Sequence, residues 1–261
     1  MRTLALLLAM TLSVSAQNPG PARTGKTAAI PSCVQPAYTS VWQFNDNSNT
    51  CTTGVRCTNG LGTRVLVDSV AGNNFTQTNT VGTPAQPVYT ASAINGLVAG
   101  LFTSATPYTL MTIGTAIPTS VTTYSWYAVL NPTTGATLKI FGGSANGDLR
   151  WYISSTGHQG LGIGGGSTIA TGTATLASGT WVTIAFTYNS STGAAALYKC
   201  SAGTCSSDGT ATVTSSPTVA ISTLGIGEGS SPFKGDIAEI GYYNGISISG
   251  VGSWSSCEYG I

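Results

Sequence analysis

The sequence predicts an all-β fold made of two stacked antiparallel layers. Val182, Ile184, Phe186 and Tyr188 recur at period two, with Thr183, Ala185 and Thr187 between them, which is the pattern of a half-buried strand. Residues 122–130 alternate in the same way, with Tyr124, Trp126, Ala128 and Leu130 on one face. No segment offers ten or more residues of helical period bounded by caps.

Residues 1–16 carry Arg2, an apolar run from Leu4 to Met10 continuing through Leu12 and Val14, and small residues at Ser15 and Ala16. This is the pattern of a secretory signal peptide cleaved before Gln17, because a membrane span needs about 20 apolar residues. No later stretch is apolar for long enough to insert in a membrane. The expected location is secreted or extracellular, with periplasm or cell surface as variants. Residues 17–36 hold four prolines and no periodicity and read as a disordered leader, so the folded domain is expected over residues 37–261.

Without Arg2 the chain keeps eight basic and eight acidic side chains. They are scattered, whereas nucleic acid or anionic lipid demands clustered Lys and Arg. Nucleic acid is therefore not an expected partner.

Turn chemistry places the hairpins. Asn146-Gly147 separates residues 138–141 from 149–153, and Asn-Gly supplies the positive φ angles of a tight turn. Thr192-Gly193 lies between residues 181–188 and 195–198. Asn131-Pro132 closes the strand that begins near Thr122, since proline cannot donate to a ladder. Residues 164–166 and 206–216 are poor in apolar side chains and read as loops or flat edges.

The order of these pieces resembles the laminin G-like domains of the concanavalin A-like lectin/glucanase superfamily. Trp42-Gln43-Phe44 is similar to their opening strand, and Asp68-Ser69 with Gly72-Asn73-Asn74 to their acidic-glycine turn. Residues 94–102 and Ser125-Trp126 are similar to strands of the first sheet, and residues 233–243 to a late structural strand. Lys199-Cys200 stands where these domains usually carry a Tyr-x-Asn-Gly turn. The resemblance implies a jelly-roll sandwich whose members mostly bind ligands.

Six cysteines in an exported chain point to disulfides rather than zinc, because there is one histidine and no Cys-x-x-Cys. Cys51 with Cys57 and Cys200 with Cys205 each enclose a short turn. Cys33 and Cys257 remain, and the jelly roll implied by the resemblance, with first and last strands side by side, would let them join the chain ends.

A glycosidase on this fold needs two carboxylates flanking the scissile bond. The Glu-x-Asp-x-x-Glu pattern of related glucanases is absent. The nearest match is Asp236 with Glu239, which simple alternation puts on opposite faces of a strand. His158 is the sole histidine, in a Gly-rich hairpin without a nucleophile elbow. The expectation is a non-catalytic binding module for a glycan or an extracellular protein surface. Two alternatives stand beside it: a structural or adhesive component of an extracellular assembly, and a glycosidase or polysaccharide lyase. Oligomeric state is not legible.

Sugar sites set aromatic rings beneath pyranose faces with polar groups around them. The candidate ligand-binding residues are Asp148, Arg150, Trp151, Tyr152, His158 and Trp254, with Arg150 and Tyr152 facing one way and Trp151 the other. No organic cofactor is expected. The candidate metal that the resemblance implies is calcium, at either of two places, the loop of residues 45–49 with Asp46 or Asp68 with Asn73, although both stretches are equally good Asx-turn sequences. Asn74 and Asn189 begin formal N-glycosylation sequons.

Overall fold

The computed structural model describes residues 33–44, 50–52, 55–56, 65–66, 70–76, 87–103, 111–117, 122–142, 148–163, 167–212, 221–224 and 232–261. In chain order the strands are β1 (Ser40–Gln43), β2 (Thr50–Thr52), β3 (Val55–Arg56), β4 (Val65–Leu66), β5 (Phe75–Thr76), β6 (Val88–Ile94), β7 (Leu97–Phe102), β8 (Met111–Ile117) and β9 (Thr123–Pro132). They continue as β10 (Leu138–Gly142), β11 (Leu149–Ile153), β12 (His158–Ile163), β13 (Thr168–Thr175), β14 (Val182–Asn189), β15 (Ala194–Ser201), β16 (Thr204–Thr212), β17 (Ile221–Leu224) and β18 (Gly235–Tyr243). A short helix, α1 (Val251–Tyr259), follows.

The strands form the expected antiparallel jelly-roll sandwich. One sheet runs β16-β15-β14-β9-β18-β7-β6, and the other β13-β12-β11-β10-β17-β8-β5-β4-β2-β3. β7 pairs with the first part of β18 and β1 with the rest, so the opening and closing strands lie side by side. Cys33 is bonded to Cys257, and Cys200 to Cys205. The expected Cys51 to Cys57 pairing lies outside the described side chains, as do the turns at residues 146–147 and 164–166.

Alternation fills the space between the sheets with aromatic rings. Trp42 and Trp126 of the first sheet stack at 5.8 Å between centroids, Trp126 meets Phe141 of the second at 4.8 Å, and Phe141 meets Trp151 at 5.3 Å. Trp151 then closes on Phe186 at 5.1 Å. Such pairs contribute roughly 0.5–1.5 kcal/mol each beyond the area they bury.

Helix α1 is a departure from the expectation. Its Gly- and Ser-rich sequence has little helical preference, and left-handed glycines, Gly250 and Gly260, bound it. It is fastened to the outside of the first sheet, where Val251, Trp254 and Tyr259 join Ile94, Ala99, Tyr127, Val129, Ala185 and Ala238 in a second apolar cluster. The first sheet is thus covered on both faces there.

Candidate functional site

The outer face of the second sheet carries a cleft of about 250 Å³ lined by Thr137, Lys139, Arg150, Tyr152, Gly162, Ser167 and Thr168. Sheet pairing brings these residues together. Lys139 of β10 stands opposite Tyr152 of β11, Arg150 opposite Gly162 of β12, and Gly162 opposite Thr168 of β13. Leu149, Trp151 and Ile153 point into the core, so Arg150 and Tyr152 point outward by alternation.

The Tyr152 ring lies over β12, where side chains are missing. A Cβ placed on Gly160 would sit 2.4 Å from Tyr152 Cζ, and one on Gly162 would meet Cε1 at 3.3 Å. The two glycines, flanking inward-facing Leu161, let the ring settle on the strand as part of the cleft. The Tyr152 hydroxyl lies 3.2 Å from Thr168 Oγ1. An Arg150 guanidinium nitrogen donates to the Ile163 carbonyl, which fixes the head at the cleft's edge.

Of the ligand-binding residues expected from the sequence, Arg150 and Tyr152 line this cleft. Trp151 and Trp254 do not present rings to a ligand: Trp151 is fully enclosed in the main core, and Trp254 is buried on the inner side of α1 in the second apolar cluster. Asp148 is buried beside the cleft rather than lining it. His158 stands at the far end of β12, with Nδ1 3.2 Å from the Ala174 carbonyl. Lys139, Thr137, Ser167 and Thr168 carry no signal of their own in the sequence, since strand pairing alone makes them neighbours of Tyr152.

Two of the calcium candidates, Asp46 and Asp68, lie outside the described residues. The Asn73 carbonyl accepts the Trp42 indole N–H at 2.7 Å. Among the described residues no group of three or more His, Cys, Asp or Glu side chains is placed to hold a metal ion, and no helix is long and apolar enough to cross a membrane.

The pairing of β18 corrects one expectation. Its ladder with β9 slips between Ile237 and Glu239, the two-against-one mark of a β-bulge. Ile237 and Ile240, three apart, both reach the main core, while Ala238 joins the second cluster. Glu239 also faces outward, toward Tyr127 and Trp254. Asp236, next to inward Ile237, therefore shares the outer face with Glu239, contrary to simple alternation.

That shared face does not make an open carboxylate pair. Glu239 has no exposed surface and four neutral donors fill its oxygens. Tyr127 and the Trp254 indole donate to Oε1, the latter at 2.9 Å. Gln43 and Tyr259 donate to Oε2, each at 2.5 Å. Burial lifts the Glu239 carboxyl to about 7, against the opposing pull of the hydrogen bonds from Tyr259, Gln43 and Trp254; nearby Glu258 adds to the rise. The group ties helix to sheet and cannot reach a polymer substrate.

A second buried carboxylate locks the two sheets together at one edge. Asp208 sits at a register slip between β15 and β16. Its Oδ1 accepts the backbone N–H groups of Thr173 and Ala174 at 2.9 and 2.6 Å, and its Oδ2 accepts the Gln159 amide at 2.6 Å. These Thr173 and Ala174 donors lie where β13 slips against β12. The carboxylate thus satisfies donors that a regular ladder would have paired.

No protein-family model matches the sequence, and no curated protein matches it. Solved structures do resemble the fold. Domain 4 of AbnA, a GH43 extracellular arabinanase from Geobacillus stearothermophilus in complex with arabinotriose, superposes with a TM-score of 0.58 at 18% identity, covering 85% of this chain and 98% of that one. A mutant GH54 α-L-arabinofuranosidase soaked with 4-nitrophenyl α-L-arabinofuranoside gives 0.55 at 16% identity, covering 87% of this chain and 59% of that one. At such identities the likeness is one of fold.

Proposed function

We propose that this chain is an exported, non-catalytic carbohydrate-binding module of laminin G-like kind, and that its glycan lies in the cleft over Tyr152. The observation that carries this reading is the Tyr152 ring resting on Gly160 and Gly162 with Arg150, Lys139, Ser167 and Thr168 around it. A ring held in this way offers apolar area at little entropic cost, and the surrounding hydroxyl and cationic groups suit sugar hydroxyls. The fold shared with domain 4 of the arabinanase, a structure that holds arabinotriose, supports the same reading by analogy.

The Cys33–Cys257 and Cys200–Cys205 disulfides suit an oxidising compartment, in keeping with the signal-peptide pattern of residues 1–16. Among the described residues no carboxylate lines the cleft, so neither a glycosidase pair nor calcium enters the proposed binding mode. A glycan array probed with and without chelator tests the proposal. Binding is expected to be unchanged by chelator, and reducing-end and unsaturated-uronate assays on the bound glycans should stay at background. An array without hits, or product release from any hit, would reject it.

A further inference from the structure

Helix α1 has little reason of its own to be a helix. Four of its nine residues are Gly252, Ser253, Ser255 and Ser256, none of them a strong helix former, and a helix of that length is marginal in water by itself. Its shape comes from what it is fastened to. None of its residues belongs to the aromatic core between the sheets, and Val251, Trp254 and Tyr259 pack instead into the second cluster. The ladders of the first sheet run from β16 to β6 without using it. Opening it therefore need not breach the main core, which is the condition for a local rather than a global unfolding step.

The Cys33–Cys257 bridge joins two segments that lie outside both sheets, residues 33–39 before β1 and α1 after β18. Both are laid on the same outer face: the Tyr38 ring is 4.6 Å from that of Tyr127, and a Cβ on Gly250 would be 3.1 Å from Pro36 Cγ. Cys257 is exposed and Cys33 half-buried. The other bridge is placed differently. Cys200 is buried in the second cluster with the apolar residues of α1, and a Cβ on Gly252 of the helix would come within 2.8 Å of the Gly203 and Thr204 backbone. The helix thus rests on the hairpin that Cys200–Cys205 closes. Thiol–disulfide exchange depends on access to the attacked sulfur, so the terminal bridge is open to a reductant and the hairpin bridge is screened.

We infer that α1 is a redox-gated clasp: reduction of Cys33–Cys257 lets it lift from the first sheet as a unit, with the sandwich intact, and only then is Cys200–Cys205 open to reduction. The reductant is a dithiol. One of its thiolates attacks the Cys257 sulfur, the Cys33 sulfur leaves and takes up a proton, and a mixed disulfide remains on Cys257. The second thiolate then attacks the dithiol's own sulfur in that mixed disulfide, releasing Cys257 as a thiol and the reagent as a cyclic disulfide. Two electrons pass from dithiol to bridge, and two protons end on Cys33 and Cys257. What holds the helix afterwards is noncovalent: the Trp254 and Tyr259 bonds to Glu239, the Asn95 amide on the Glu258 carbonyl at 2.9 Å, and the apolar contacts of the second cluster.

The test pulses the intact oxidised protein with dithiothreitol, traps free thiols by alkylation, and reads Cys33 and Cys257 apart from Cys200 and Cys205 by peptide mass spectrometry. The terminal bridge is expected to open tenfold or more faster than the hairpin bridge. Hydrogen exchange on the species with only the terminal bridge reduced should be tenfold or more faster over residues 251–259, with β9 and β14 unchanged. In Cys33→Ser/Cys257→Ser, Cys200–Cys205 should be reduced tenfold or more faster than in the wild type.

Reduction of Cys200–Cys205 first, or at the same rate, would overturn the order. A helix that exchanges as slowly after reduction as before would overturn the clasp. Loss of protection in β9 and β14 together with the helix would do so too, since the whole fold would then open at once. Order and exchange are read on the wild-type protein, so the inference does not depend on the variant folding.

Discussion

Gln43 stands opposite Glu239 across the β1–β18 ladder, and its amide nitrogen donates to Glu239 Oε2 at 2.5 Å. The contact joins the first described strand to the last. With Tyr127 from the middle of the sheet and Trp254 and Tyr259 from the helix, it gathers residues distant in sequence around one buried carboxylate.

Replacing Glu239 by Gln tests that arrangement. An amide has one accepting oxygen where the carboxylate has two, so its NH2 must face either the Trp254 indole N–H or the Gln43 amide. An unsatisfied buried donor costs about 1–3 kcal/mol. At pH 8, where the carboxyl is ionised, Glu239→Gln is expected to lose that amount in urea unfolding, and Tyr259→Phe, which removes one donor, about 1 kcal/mol. Wild-type stability in both would show that the cage is not a fastening.

The Glu239 carboxyl also makes stability depend on pH. Its native value of about 7 stands above the ordinary 4.5, so between these values the folded state holds a proton that the unfolded chain has released. The stabilisation is complete below about 4.5 and is lost as pH rises through about 7, a span worth roughly 3 kcal/mol. Asp236, also raised by burial, acts with the same sign. Unfolding free energy measured from pH 4.5 to 8 should fall, and the slope should flatten in Glu239→Gln. A rise over that range would contradict the assignment.

Glycine is required where side chains lie on the backbone. A Cβ on Gly241 would be 1.7 Å from Tyr127 Cε1, and one on Gly172 would be 2.2 Å from Asp208 Oδ2. Neither site is a positive-φ turn, so the demand is for space. Gly241→Ala and Gly172→Ala are each expected to destabilise by about 1–3 kcal/mol, read as lowered Tm. An unchanged Tm in both would mean the neighbouring groups move aside freely.

The two disulfides among the described residues should differ in worth. Cys33 to Cys257 spans 224 residues and Cys200 to Cys205 spans five, so the loop-entropy relation gives about 5 and about 2 kcal/mol respectively. Cys33→Ser/Cys257→Ser is expected to unfold at lower urea than Cys200→Ser/Cys205→Ser, and to expose the Trp254 fluorophore first. The reverse order would show that the terminal bridge does not hold the helix.

Period-two hydrophobicity is enough to read β9, β14 and the sandwich itself, because both faces of those strands obey strict alternation. It fails at β18, where the bulge shifts the frame between Ile237 and Ile240. The clue is present: two isoleucines three apart in a strand cannot both be buried on one side without an extra residue. Helix α1 is illegible because its sequence has neither propensity nor an apolar stripe. Trp254, Tyr259 and the Cys257 bridge hold it from outside. In the cleft, Arg150 and Tyr152 can be paired by spacing, whereas Lys139, Ser167 and Thr168 arrive from other parts of the chain and leave no local pattern.

Amide shifts of the isotope-labelled protein, followed as the tightest array ligand is added, test the central claim most directly. Perturbations are expected at Lys139, Arg150, Tyr152, Gly160, Gly162 and Thr168, with Gln43, Glu239 and Trp254 unmoved. Shifts centred on the helix side of the first sheet, with the Tyr152 cleft silent, would contradict it.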